Sequence, residues 1–171
     1  FATDIAEVIG GKMFSEYTTF SVVRNPFDRL VSWYWMLKLR SFEEENPDVI
    51  ETPGDKVNFA LIDALNQHAS TFDEFVSLPE DHECQLFKRF FFDQVDYLSD
   101  GGDILVDHVL KFENLNNDFA NFAELLGIKN TLSHINKTPR KANYRSYYND
   151  ISQQQIASRF QRDLEYFNYR F

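Results

Sequence analysis

Apolar positions along the chain follow two periods. In PFDRLVSWYWMLKLR (26–40), Phe27, Leu30, Val31, Tyr34 and Leu37 recur at helical spacing and fall on one face. Immediately upstream, TTFSVV (18–23) is a β-branched and aromatic run, which predicts a buried strand. Helical spacing also marks ATDIAEVIGG, with Ile5, Val8 and Ile9 in register, Thr3 or Asp4 as cap and Gly10-Gly11 as the end. GGKMFS (10–15) reads as the C-terminal cap of that helix.

The pattern then weakens. Residues 41–57 carry acidic residues, two prolines and a glycine, which predicts an exposed loop. Short helices are expected over 58–66 and 71–77, the second with Thr71 and Glu74 as a capping box. HECQLFKRFF (82–91) admits helix or loop. QVDYLSD reads as a strand or extended segment before a turn at Gly101-Gly102, and HVLKFENL (108–115) as a strand handing over to the helix NNDFANFAELLG. Gly127 is the expected C-cap of that helix. After a polar loop over 129–149, a last helix spans about 151–167, starting at Ser152 or Asp150, with Ile156, Phe160 and Leu164 on one stripe. Strands alternating with helices predict an α/β fold built on a small parallel sheet.

Composition bounds this picture. A chain of 171 residues, 43% hydrophobic and with 18 phenylalanines, can build one globular domain with a substantial core. No apolar run approaches the ~20 residues of a membrane span. A net charge of −10 argues against general nucleic-acid binding and against an anionic membrane surface as partner. Cys84 is alone and forms no internal disulfide, which fits a reducing compartment or a fold that needs no staple. His68, His82, His108 and His134 show no ligand spacing, so no metal is expected.

The chemistry concentrates at VVRNPFDRLVS. Arg24 falls at the carboxyl end of the first strand, where ligands of open α/β sheets bind. Asn25 suits an N-cap and Pro26 the first helical position. A helix N-terminus, a planar guanidinium and the hydroxyl of Ser32 together suit a phosphate. The same residues admit a plainer reading, in which Arg24 neutralises a carboxylate such as Asp28 and Ser32 merely packs. Downstream, Lys129, Lys137, Arg140, Lys141 and Arg145 reverse the charge of an otherwise acidic chain.

FSVVRNPFDRLVSWY resembles the 3′-phosphate-binding segment of the sulfotransferases that use 3′-phosphoadenosine 5′-phosphosulfate (PAPS), with Arg24 and Ser32 at the family's spacing of eight. ATDIAEVIGG, VDHVLKFENLNNDFANFAELLGI, HINKTPRKANYRSYYND and IASRFQRDLEYFNYRF are similar, in the same order, to segments of the carbohydrate-type branch (the family 2-like Golgi and bacterial enzymes). The resemblance implies a P-loop-like three-layer fold with a small central parallel sheet flanked by helices, in a single domain over 1–171. It implies PAPS as donor, adenosine 3′,5′-bisphosphate (PAP) as product, a hydroxyl acceptor, on a glycan in that branch, and no metal. Arg24 and Ser32 would hold the 3′-phosphate, and the basic loop would fold over the nucleotide through Thr138 and Lys141.

The family's first strand and 5′-phosphosulfate loop have no counterpart here, so they, the catalytic base and its lysine are expected upstream of Phe1. Within the chain, His134 is the candidate base. His108 is expected to be structural, His68 and His82 to lie at the surface, and Trp33, Tyr34 and Trp35 to belong to the core. Glu113 is expected to hold the fold by bonding backbone amides. Two rivals remain: a catalytically inactive relative that binds a nucleotide or glycan, and a P-loop kinase relative. The expected location is cytoplasmic, or the Golgi lumen if an anchor precedes Phe1.

Overall fold

The computed structural model describes residues 1–43, 53–129, 132 and 143–171, with side chains omitted at 39–43 and 53–58. In chain order the elements are helices α1 (Ala2–Ile9) and α2 (Gly11–Glu16), strand β1 (Phe20–Val23), and helices α3 (Pro26–Glu43), α4 (Pro53–His68) and α5 (Phe72–Ser77). A 3-10 turn at Gln85–Phe90 precedes α6 (Gln94–Leu98), β2 (Ser99–Asp100), β3 (Asp103–Ile104) and β4 (His108–Lys111). A second 3-10 turn (Phe112–Asn114) leads into α7 (Leu115–Leu125), and a third (Tyr144–Tyr147) precedes α8 (Asp150–Arg159) and α9 (Gln161–Tyr166). The fold is α/β with a small parallel sheet and helices around it, as expected.

The chain divides into two compact units. The first comprises Phe1–Asn25, Asp93–Ile135 and Arg162–Arg170. Its sheet pairs β1 with β4 in parallel, Phe20 opposite His108 and Val23 opposite Lys111. A parallel neighbour so far away in sequence requires a long crossover, which residues 24–107 supply. Val23, Val95, Leu98, Phe167 and Tyr169 form the unit's buried cluster, with Val109 and Leu164 packed against it. α7 ends on Gly127 at φ +67°, its N–H donating to the Glu124 carbonyl while the Ile128 N–H donates to Ala123. That left-handed residue closes the helix, as its glycine predicted.

The second unit comprises Pro26–Phe92, Asn136–Gln161 and Phe171. All five apolar positions of the α3 face are buried, Val31 and Leu37 completely. Burying five such side chains, at roughly 1.5–3 kcal/mol each, offsets part of the entropy of ordering the helix. Tyr34 packs against Phe72 and Phe75 of α5 and donates its hydroxyl to the Ser70 carbonyl at 2.8 Å. The α5 capping box is present: Thr71 Oγ1 accepts from the Glu74 N–H and the Glu74 carboxylate accepts from the Thr71 N–H.

Several boundaries differ from the sequence reading. Gly10, at φ +86°, ends α1, but Gly11 starts a further helix rather than extending a cap. QVDYLSD is not a strand: residues 94–98 are helical and only Ser99–Asp100 pair, across the glycine turn, with β3. The closing helix breaks at Phe160, a fully buried residue whose backbone leaves helical geometry (ψ 32°). Of the expected 41–57 loop, residues up to Glu43 belong to α3 and those from Pro53 to α4, while 44–52 lie outside the described residues.

Candidate functional site

The link between β1 and α3 consists of Arg24 and Asn25 alone. Neither continues the ladder, so their backbone groups need other partners. Within the first unit, side chains from distant segments provide them. The Gln94 side-chain amide takes both backbone groups of Arg24: Oε1 accepts from the Arg24 N–H at 2.9 Å, and Nε2 donates to the Arg24 carbonyl at 2.7 Å. The Asn25 N–H donates to Glu113 Oε1 at 2.7 Å, and the Asn25 side-chain nitrogen donates to the Arg170 carbonyl at 2.8 Å. Tyr169 donates its hydroxyl to Glu113 Oε2 at 2.9 Å, with a longer contact of 3.2 Å to the Val23 carbonyl. Glu113 therefore bonds a backbone amide, as expected.

Behind Gln94 stands Asp163, fully buried. Its Oδ2 accepts from the Gln94 N–H at 2.8 Å and from Gln94 Nε2 at 3.0 Å, and its Oδ1 accepts from the Val95 N–H at 2.9 Å. The carboxylate thus satisfies the first amides of α6. This explains the departure from the expected strand: a charge from α9 caps a helix that residues 94–98 do not announce.

Arg24 itself is half-buried, and its guanidinium lies 4.0 Å from the centroid of the Phe112 ring. The negative face of the ring attracts the cation, and a guanidinium carries five N–H donors in its own plane. The arrangement can present a planar, permanently charged fork at the carboxyl end of a strand. Such a fork matches an anion with several oxygens.

Burial pushes the Tyr169 hydroxyl far above its usual range, reinforced by its bond to the Glu113 carboxylate, so Tyr169 remains a donor. Asp93, at the start of α6, is pushed up to about 6 by burial and by the charge of Asp163, with Arg162 opposing. Arg162 reaches Asp96 at 2.6 Å and Asp93 at 3.6 Å, and the Asp93 Oδ1 has no hydrogen-bond partner.

The other expected site residues fall as follows. Ser32 is half-buried on α3, in the second unit. Thr138, Lys141 and His134 lie outside the described residues, as do Lys137 and Arg140. His108 stands edge-on to Phe122 at 5.1 Å, a packing contact that agrees with a structural role. His68 and His82 pack against each other at 4.8 Å, and the His82 Nδ1 accepts from the Cys84 N–H. Tyr34 is buried, and Trp33 and Trp35 are half-buried. Among the described residues no group of His, Cys, Asp and Glu is placed to hold a metal ion, and no helix is long and apolar enough to cross a membrane. Sequence reasoning missed Gln94, Asp163 and Tyr169. The last two sit in the Asp-x-x-x-Phe-x-Tyr ending of the chain, the one signal that could have found them.

The first strand of a parallel α/β core thus ends on an arginine whose backbone is secured by Gln94. The sequence profile of the sulfotransferase family matches residues 2–170, nearly the whole chain, and the chain belongs to that family. Sulfuryl transfer is the family's chemistry. No curated protein and no solved structure matches significantly.

Proposed function

We propose that the protein transfers a sulfuryl group from PAPS to a hydroxyl on a glycan, with Arg24 gripping the donor's 3′-phosphate. One observation carries this reading: Arg24 stands at the carboxyl end of β1 with both its backbone groups held by Gln94 and its guanidinium over the Phe112 ring. Ser32 joins the same phosphate through its hydroxyl, an assignment that rests on its spacing from Arg24 along the chain. Thr138 and Lys141 contact the nucleotide from the basic loop, by resemblance to the family. The family match favours sulfuryl transfer over the kinase alternative.

In the transfer, the sulfur–oxygen bond to the donor's phosphate breaks as a bond to the acceptor oxygen forms. The acceptor proton passes to a base, for which His134 is the candidate on this chain. Arg24 takes no part in bond making. Its work is positioning, since a donor held by its 3′-phosphate is aligned for in-line displacement.

The test is calorimetric. The intact protein should bind PAP, and Arg24→Ala should weaken binding by about 1.5–3 kcal/mol, the scale of a charge-assisted hydrogen bond. Unchanged affinity in Arg24→Ala would remove the assignment. A catalytically inactive relative would keep that binding and transfer sulfuryl to no acceptor.

A further inference from the structure

We infer that Gln94 is a positioning residue for the donor's 3′-phosphate: held in one orientation by Asp163, it fixes the backbone of Arg24 and so the direction of the phosphate-gripping side chain. The inference rests on the reading of Arg24 given above.

The argument begins with the two bonds between the Gln94 amide and Arg24. A primary amide that accepts from a residue's N–H and donates to the same residue's C=O imitates a neighbouring strand. It restrains the dihedrals on both sides of that residue's Cα, and with them the Cα–Cβ direction. Arg24 is the first residue beyond β1, where the ladder with β4 no longer does this. Gln94 therefore extends the order of the sheet by one residue, at the position where an anion would be met.

An amide alone could turn over and exchange its oxygen and nitrogen. Asp163 prevents it. The Gln94 Nε2 protons go to the Arg24 carbonyl and to Asp163 Oδ2. A reversed amide would set its oxygen against those two acceptors and its nitrogen against the Arg24 N–H. An ionised carboxylate accepts and never donates, so only one orientation is bonded throughout. Asp163 holds the Gln94 backbone N–H as well, which fixes the base of the side chain and its tip together. Gln94 and Asp163 are both buried, so water offers no easy substitute for these bonds.

A positioning role differs from a structural one in what its loss affects. Affinity for nucleotides with a 3′-phosphate should fall, whereas affinity for nucleotides without one should not. The experiment measures binding of PAP and of adenosine 5′-monophosphate to the intact protein, Gln94→Met, Arg24→Ala and the double variant. Gln94→Met should weaken PAP about tenfold and change the monophosphate by less than about twofold. The double variant should bind PAP no more weakly than Arg24→Ala, because the clamp acts only through that side chain. If Arg24→Ala binds PAP normally, the phosphate reading itself fails. If Arg24→Ala weakens PAP but Gln94→Met does not, or weakens both nucleotides alike, or if the two losses add, the clamp is refuted and the phosphate reading stands. Should Gln94→Met fail to fold, amide exchange of the unmodified protein decides. Protection of the Arg24 amide comparable to that of β1 supports the clamp, and exchange at open-loop rates overturns it.

Discussion

At Asn25 a single backbone N–H depends on a carboxylate 88 positions away in sequence. Glu113 spends one oxygen on that amide and the other on the Tyr169 hydroxyl, so the three groups form one chain of bonds. Groups that share a partner do not contribute independently. Tyr169→Phe should cost about 1 kcal/mol in urea unfolding, and Glu113→Gln about 1–2 kcal/mol, because one of its two acceptor positions becomes a donor facing a donor. The double variant should cost less than the sum, by about 0.5 kcal/mol or more. Strict additivity would show that the bonds do not act as a unit. Arg24 was legible as a candidate because its chemistry is local: strand, charge, Asn-Pro, helix. Glu113 was legible as a backbone partner because it sits where a strand ends. Gln94 was not, since a glutamine at the start of a short mixed segment carries no signal until the fold brings it to Arg24.

Elements were read well where their own residues dictate them. α3 has its stripe, α5 its capping box, and α7 its terminal glycine, and each formed as expected. α6 failed because its stabilising partner is Asp163, 69 positions from Gln94. A five-residue helix nucleates poorly alone, and QVDYLSD offers the alternation of a strand as readily as helical spacing. The break at Phe160 was equally hidden, because the stripe through Ile156, Phe160 and Leu164 continues across it. Dependence of α6 on one carboxylate has a consequence. Asp163→Ala strips the acceptor from two backbone amides and one side-chain amide at once, within a buried site. The expected loss is about 3–4 kcal/mol of stability, with the amides of residues 94–98 losing exchange protection before those of α3. Asp163→Asn retains one acceptor oxygen and should cost roughly half as much. Equal protection of 94–98 in the Asp163→Ala protein would show that α6 stands without its cap.

For the molecule as a whole, charge and buried titration act in the same direction. The chain carries −10 at neutral pH, and self-repulsion among those charges eases as pH falls toward the pI near 4.8. Asp93 adds to this. Its carboxyl is raised to about 6 in the folded protein, from an ordinary value of 3.8, so the folded state holds a proton that the unfolded chain has released. The stability from that proton is fully present below about pH 4 and is lost as pH rises through about 6. Glu74 and Asp107 set the opposing limit. Hydrogen bonds from Thr71 and Ser70, and from Thr19, hold their carboxyls below the usual 4.5 and 3.8. What they contribute is present above those values and is lost as pH falls through the lowered ones. Stability should therefore peak on the acid side of neutrality, near pH 5, and decline toward pH 7.5. Asp93→Asn isolates the buried group, since the amide cannot ionise while net charge changes by a single unit. It should raise stability at pH 7.5 by about 1 kcal/mol and do little at pH 4, flattening the profile between. Urea midpoints measured across that range at constant ionic strength decide the matter. A profile that keeps its slope in Asp93→Asn would assign the acid-side gain to net charge alone, and a wild-type maximum above pH 7 would contradict both contributions.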